Sequence, residues 1–213
     1  MSNYEPIRLR LTFSKKGDLR YVGHLDLQRL IERALRRSNL PMRYSQGFNP
    51  KVRLNLASAL PLGQESKAEV MDFWLEEKVE PEVAMQRLNQ ALPEGVRILS
   101  AKLISAKLPS LQDSLRESVF TVRFPLNPET ARQQLDAVLA QDQIVVSRRS
   151  KTLDIKPLIL GYEWQAADLL EIKLSAIPMA TGRVDELLIA ANIDPALTEI
   201  ERTELIFEDE SDD

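Results

Sequence analysis

The chain has 213 residues, enough for one large domain or two compact domains of about 100 residues each. It contains no cysteine and a single histidine, His24, which excludes disulfides, thiolate zinc sites, cysteine-ligated iron–sulfur clusters and multi-histidine metal sites within it. The net charge of −4 conceals a division: residues 1–60 carry +8 and the remainder −12, so a basic face is tethered to an acidic body.

The start, MSNYEPIRLR, lacks the apolar run of a secretory signal, and no segment reaches the roughly 18 apolar residues of a membrane span. A cytoplasmic protein with no membrane partner is expected. Ile7, Leu9, Leu11 and Phe13 alternate with Arg8, Arg10 and Thr12, which predicts a strand with one buried face. Between His24 and Ser38, Leu27, Leu30, Ile31, Ala34 and Leu35 fall within about 80° of one another on a helical wheel, and Pro41 forbids continuation. Strands are predicted over 52–60 and 68–75, then a helix opened by Pro81 and closed by Pro93 and Gly95, then a strand over 96–103. The order is βαββαβ.

A polar stretch at 108–117 suits a link between domains. Beyond it come a strand over 118–124, a helix from Pro128, a strand over 143–147, a mixed loop over 148–168 that includes an irregular KTLDIKPLIL stretch and leaves room for an extra strand or hairpin, a strand over 169–177, a helix over 183–190 and a strand over 199–207. This again approximates βαββαβ. The expected class is therefore α+β, with tandem ferredoxin-like domains at 1–108 and 109–208, each a four-stranded antiparallel sheet covered by helices, followed by an acidic tail at 209–213.

Two segments are candidates for recognition. On the predicted helix, Arg29, Arg33 and Arg36 project about 180–240° from Leu27, opposite the apolar stripe, with Arg37 nearer the edge. Their guanidinium forks suit phosphates or a carboxylate-rich protein, and local ion pairing is an equal reading. Gly23 and His24 stand at the helix entrance, where free N–H groups can meet an anion, although Asp26 would repel one and is better suited to ordering the loop. With no nucleophile or metal set near it, His24 reads as a structural or binding histidine rather than a proton-transfer group.

The second segment is RYSQGFNPKVR, Arg43–Arg53. Gly47, Asn49 and Pro50 have turn chemistry, and Tyr44 and Phe48 stand between the cations Arg43, Lys51 and Arg53, which would widen the helix's positive field. An exposed aromatic there can stack a base while the cations hold the backbone; packing of Phe48 into the core, with Tyr44 at the domain edge, is the favoured alternative. Arg148, Arg149 and Lys151 form a further short basic run.

The GHLD of residues 23–26, the arginine-bearing helix through Arg37, Pro41, the Tyr44–Pro50 loop and the Ala59–Gly63 turn resemble the amino-terminal signature of a radical-SAM-associated family. That family occurs alone or fused to radical SAM proteins with a B12-binding-like domain. The resemblance is specific over residues 20–63 and looser beyond. It implies a non-catalytic accessory that positions a substrate, with RNA as the candidate, for a radical SAM enzyme. S-adenosylmethionine and the iron–sulfur cluster would belong to that partner, and this chain would hold no cofactor. Lys51 stands where the family usually has a histidine, which argues against a two-histidine site. The alternative is an autonomous RNA-processing or RNA-modifying enzyme using His24.

Overall fold

The computed structural model describes residues 7–208. It is a mixed α/β protein of mostly antiparallel strands and few helices, divided into two compact units, one of residues 7–115 with 207–208 and one of residues 116–206. The acidic tail read at 209–213 lies outside the described residues.

In the first unit β1 (Ile7–Lys15), α1 (His24–Arg37), β2 (Leu54–Leu56), β3 (Glu65–Leu75), α2 (Pro81–Ala91) and β4 (Val96–Ile104) follow one another. The strand order is β4-β1-β3-β2 and every pairing is antiparallel. Helix α1 begins after Gly23 and stops where Asn39 adopts φ +53, a left-handed residue that ends the ladder. Helix α2 begins with Pro81, whose missing N–H costs nothing at that position. At its far end Gly95, at φ +90, lies so close to Lys16 that an added Cβ would meet its carbonyl oxygen at 2.8 Å. Leu9, Leu11 and Phe13 from β1, Met71 and Phe73 from β3, Leu27, Ile31 and Leu35 from α1 and Leu88 from α2 form one core.

The expectation that β1 buries one face is corrected. Arg8 and Arg10 on its other face are also buried. Both grip Asp72 of β3, and Arg8 further donates to the carbonyls of Leu108 and Pro109 while Arg10 lies beneath the Phe207 ring. The link segment and the end of the last strand thus cover a face that alternation alone assigns to solvent. The second predicted strand is also shorter, Leu54–Leu56 in place of 52–60.

The second unit contains β5 (Leu115–Arg123, preceded by the short α3, Leu111–Ser114), α4 (Pro128–Leu139), β6 (Val145–Arg148), β7 (Lys151–Asp154), β8 (Ile159–Ala166), β9 (Leu169–Ile177), β10 (Ala180–Thr181), α5 (Val184–Ala190) and β11 (Glu199–Phe207). Its order is β8-β9-β5-β11, with β10 also against β9. The strand expected at 143–147 is not part of this sheet. It forms a separate hairpin with β7, because Arg149 and Ser150 both take positive φ and make a two-residue turn matched to strand twist. The sheet strand is instead β8, which falls within the 148–168 loop where the sequence leaves room for an extra strand or hairpin.

Candidate nucleic-acid interface

The Arg43–Arg53 segment leaves and rejoins the edge of β3. Arg43 N donates to the Trp74 carbonyl at 2.8 Å and Arg53 N to the Arg43 carbonyl at 3.0 Å. Tyr44 bridges Val52, Ser45 N donates to the Lys51 carbonyl at 2.8 Å, and Lys51 N donates to Ser45 Oγ at 3.0 Å. These bonds make a short two-stranded stem. Residues directly opposite across such a stem share a face, so Arg43, Lys51 and Arg53 lie on one face and Tyr44 lies with Val52 on the other. Val52 belongs to the helix-covered core, which leaves the cations on the opposite side of the sheet.

The Arg53 guanidinium lies over the Trp74 ring, 4.2 Å from its centroid, and Arg8 approaches the same ring at 5.3 Å. Arg43 has a distant acid, Glu76 Oε1, at 3.9 Å. Segment 43–53 itself contains no acid. At its tip Gly47 adopts φ +131, a conformation that L side chains rarely take. Phe48 beside it is fully exposed, which corrects the expectation that it fills the core. The stem closes before Phe48 and leaves the tip, from Gln46 to Pro50, in solvent, where its backbone groups can meet water. Tyr44 is 40% exposed, Val52 is buried, and Asn49 and Pro50 are exposed with the tip.

Helix α1 presents Arg29, Arg33, Arg36 and Arg37 to solvent on its outer side. Arg29 pairs with Asp26 at 3.1 Å, and Arg37 donates to the Ala91 carbonyl at 2.7 Å, tying α1 to the end of α2. Arg33 and Arg36 make no ion pair among the described residues. The expectation that the loop cations widen this field is corrected too: α1 covers the Leu9–Leu11–Phe13 face of the sheet, whereas Arg53 stands with Trp74 and Arg8 on the other. One sheet therefore separates two basic surfaces.

The helix entrance is organised by residues that the sequence reading did not single out. Lys15, buried, donates through Nζ to the carbonyls of Val22 at 2.9 Å and Arg20 at 3.3 Å, and Gly63 N donates to the Arg20 carbonyl at 2.9 Å. The segment leading into α1, through Arg20 and Val22, is thereby joined to the Ala59–Gly63 turn. Behind them Arg20 Nε and Gln64 Oε1 are buried without a hydrogen-bond partner. Lys15 at the end of an alternating strand is the one signal that could have been noticed. The His24 side chain, half-buried, makes no hydrogen bond or ion pair with any described residue. Asp26 serves Arg29 and makes no bond to the loop. No group of His, Asp or Glu among the described residues could hold a metal ion. No described helix is long and apolar enough to cross a membrane.

In the second unit Arg148 is committed to Glu186, donating from Nε at 2.6 Å and from a terminal nitrogen at 2.5 Å. The Glu186 hydrogen bond raises the Arg148 pKa above its ordinary value against the opposing effect of burial. The basic run there is in part structural. A family described as an uncharacterized protein conserved in bacteria (DUF2344) matches residues 8–188. No curated protein matches the chain.

Proposed function

We propose that this chain, which belongs to the DUF2344 family, is a non-catalytic cytoplasmic accessory that binds RNA and positions it for a radical SAM enzyme. The observation that carries the RNA half is a set of cations without acids. In a chain with 32 Asp and Glu against 28 Lys and Arg, the exposed Arg33, Arg36, Lys51 and Arg53 have no carboxylate partner among the described residues. A surface serving stability alone would pair them, since acids are in excess; left open, they suit a polyanion whose counterions they displace. The enzyme half rests on the resemblance of residues 20–63, and the S-adenosylmethionine and cluster belong to that partner. The strand orders β4-β1-β3-β2 and β8-β9-β5-β11, with two helices each, support reading the chain as two ferredoxin-like units, the second carrying the β6–β7 hairpin as an insertion.

The test is affinity capture of the chain with retained RNA, alongside titration of the purified chain with mixed-sequence RNA over a salt series. Binding that falls steeply with salt, together with recovery of a radical SAM enzyme, is the expected result. No salt-dependent binding removes the RNA half, and absence of the enzyme removes the other. Turnover of RNA by the chain alone, lost in His24→Gln, would replace this reading with an autonomous enzyme.

A further inference from the structure

We propose that Phe48 and Arg53 form a two-point stacking platform for unpaired nucleotides, so that the RNA taken at this loop is single-stranded. The inference deepens the RNA reading above and rests on it. Phe48 is an aromatic with its whole side chain in water, placed next to the left-handed Gly47 at the tip of a hydrogen-bonded stem. Such a ring contributes nothing to the core. Any free-energy gain from the ring comes from what covers it.

The surroundings say what that is. Arg43, Lys51 and Arg53 share one face of the stem, segment 43–53 carries no acid, and the nearest carboxylate, Glu76, stands 3.9 Å from Arg43. An apolar protein surface would desolvate these cations without return, whereas a nucleotide offers a ring for the ring and a phosphate for each cation. Arg53 adds a second flat surface. Its guanidinium carbon lies over the Trp74 ring at 4.2 Å from the centroid, which anchors one side of the group, while the residue remains exposed. Bases stack on guanidinium planes as they do on aromatic rings. The five residue steps from Phe48 to Arg53 span at most about 18 Å, so the two surfaces meet bases within a short run of one strand. A duplex cannot stack on them, because its base faces are already stacked on one another within the helix.

The experiment titrates the full chain with an unstructured 12-nucleotide RNA and with a 12-base-pair RNA duplex in a salt series, comparing the native protein with Phe48→Ala, Phe48→Trp and Lys51→Gln. The single strand should bind the native protein more tightly than the duplex. Phe48→Ala should weaken single-strand binding about five-fold or more with an unchanged salt slope, and Phe48→Trp should restore it. Lys51→Gln should instead flatten the slope by about 0.7. Equal affinity for both RNAs, or an unaffected Phe48→Ala protein, overturns the platform while leaving RNA binding standing. Binding of neither RNA overturns the RNA reading and the platform together, and preference for an acidic peptide over either RNA makes the loop a protein contact.

Discussion

Arg8 on β1 and Asp72 on β3, 64 residues apart in sequence, meet where both are buried, with Arg8 Nε donating to Asp72 Oδ2 at 2.9 Å. Arg10 closes on the same carboxylate from the next position of that face, Nε to Oδ1 at 2.8 Å. One aspartate thus answers two interior guanidinium groups.

Asp72→Asn should therefore be strongly destabilising. It removes the carboxylate charge that Arg8 and Arg10 share in the interior, and breaking such a buried arrangement costs about 3–5 kcal/mol. Urea unfolding followed by circular dichroism measures this, and a loss below about 1 kcal/mol would show that solvent reaches the arginines.

Arg148 and Glu186 play a smaller version of the same part in the second unit, joining β6 to α5 through two charge-assisted bonds. Glu186→Gln should cost about 2 kcal/mol, because the pair is largely but not wholly shielded from water. Hydrogen exchange should rise first in the β6–β7 hairpin, which has no other sheet to join. Unchanged exchange there would mean that the hairpin is held by its apolar contacts.

The contrast between these residues shows what could be read in the chain beforehand. Helix α1 was legible because Leu27, Ile31, Ala34 and Leu35 recur at the helical period and the core that they enter is local in pattern. Arg8 and Arg10 were misread as a solvent face, since their burial depends on Asp72, Leu108, Pro109 and Phe207, partners that no short window contains. The β6–β7 turn was hidden because Arg149 and Ser150 adopt left-handed angles without the Asn or Gly that usually announces them. The cations of the 43–53 loop were legible as cations. Their side of the sheet was not, because it follows from the pairing of Tyr44 with Val52.

Gly47→Ala should act on binding rather than on stability. At φ +131 an alanine forces the tip to another backbone conformation, and the stem bonds below it, Ser45 to Lys51 and Arg53 to Arg43, do not depend on the tip. The melting temperature should stay within about 2 °C while RNA affinity falls several-fold. A variant that binds RNA as the native protein does would show that the tip's geometry is not read.

The last prediction uses the sheet as a partition. Arg29, Arg33 and Arg36 lie on the outer side of α1, and Arg53 and Lys51 lie on the side of the sheet that α1 does not cover, so no few-nucleotide RNA can touch both. Changing the three helix arginines to glutamate lowers the net charge by six, replacing three cations with three anions, spares the apolar stripe and breaks one exposed pair, Arg29 with Asp26. The fold should survive with a lower melting temperature, since glutamate in the last turn of a helix opposes its dipole. A long RNA that wraps from one surface to the other should bind much more weakly and with a flatter salt slope, because fewer counterions are released. A short oligonucleotide confined to the loop should lose little beyond the long-range repulsion, and that loss should fade as salt approaches the screening regime. Anisotropy titrations with the two RNA lengths at two ionic strengths separate these effects. If the folded triple variant binds the long RNA with unchanged affinity and slope, the α1 face is no part of the RNA path, and its unpaired arginines are then better assigned to an acidic partner protein.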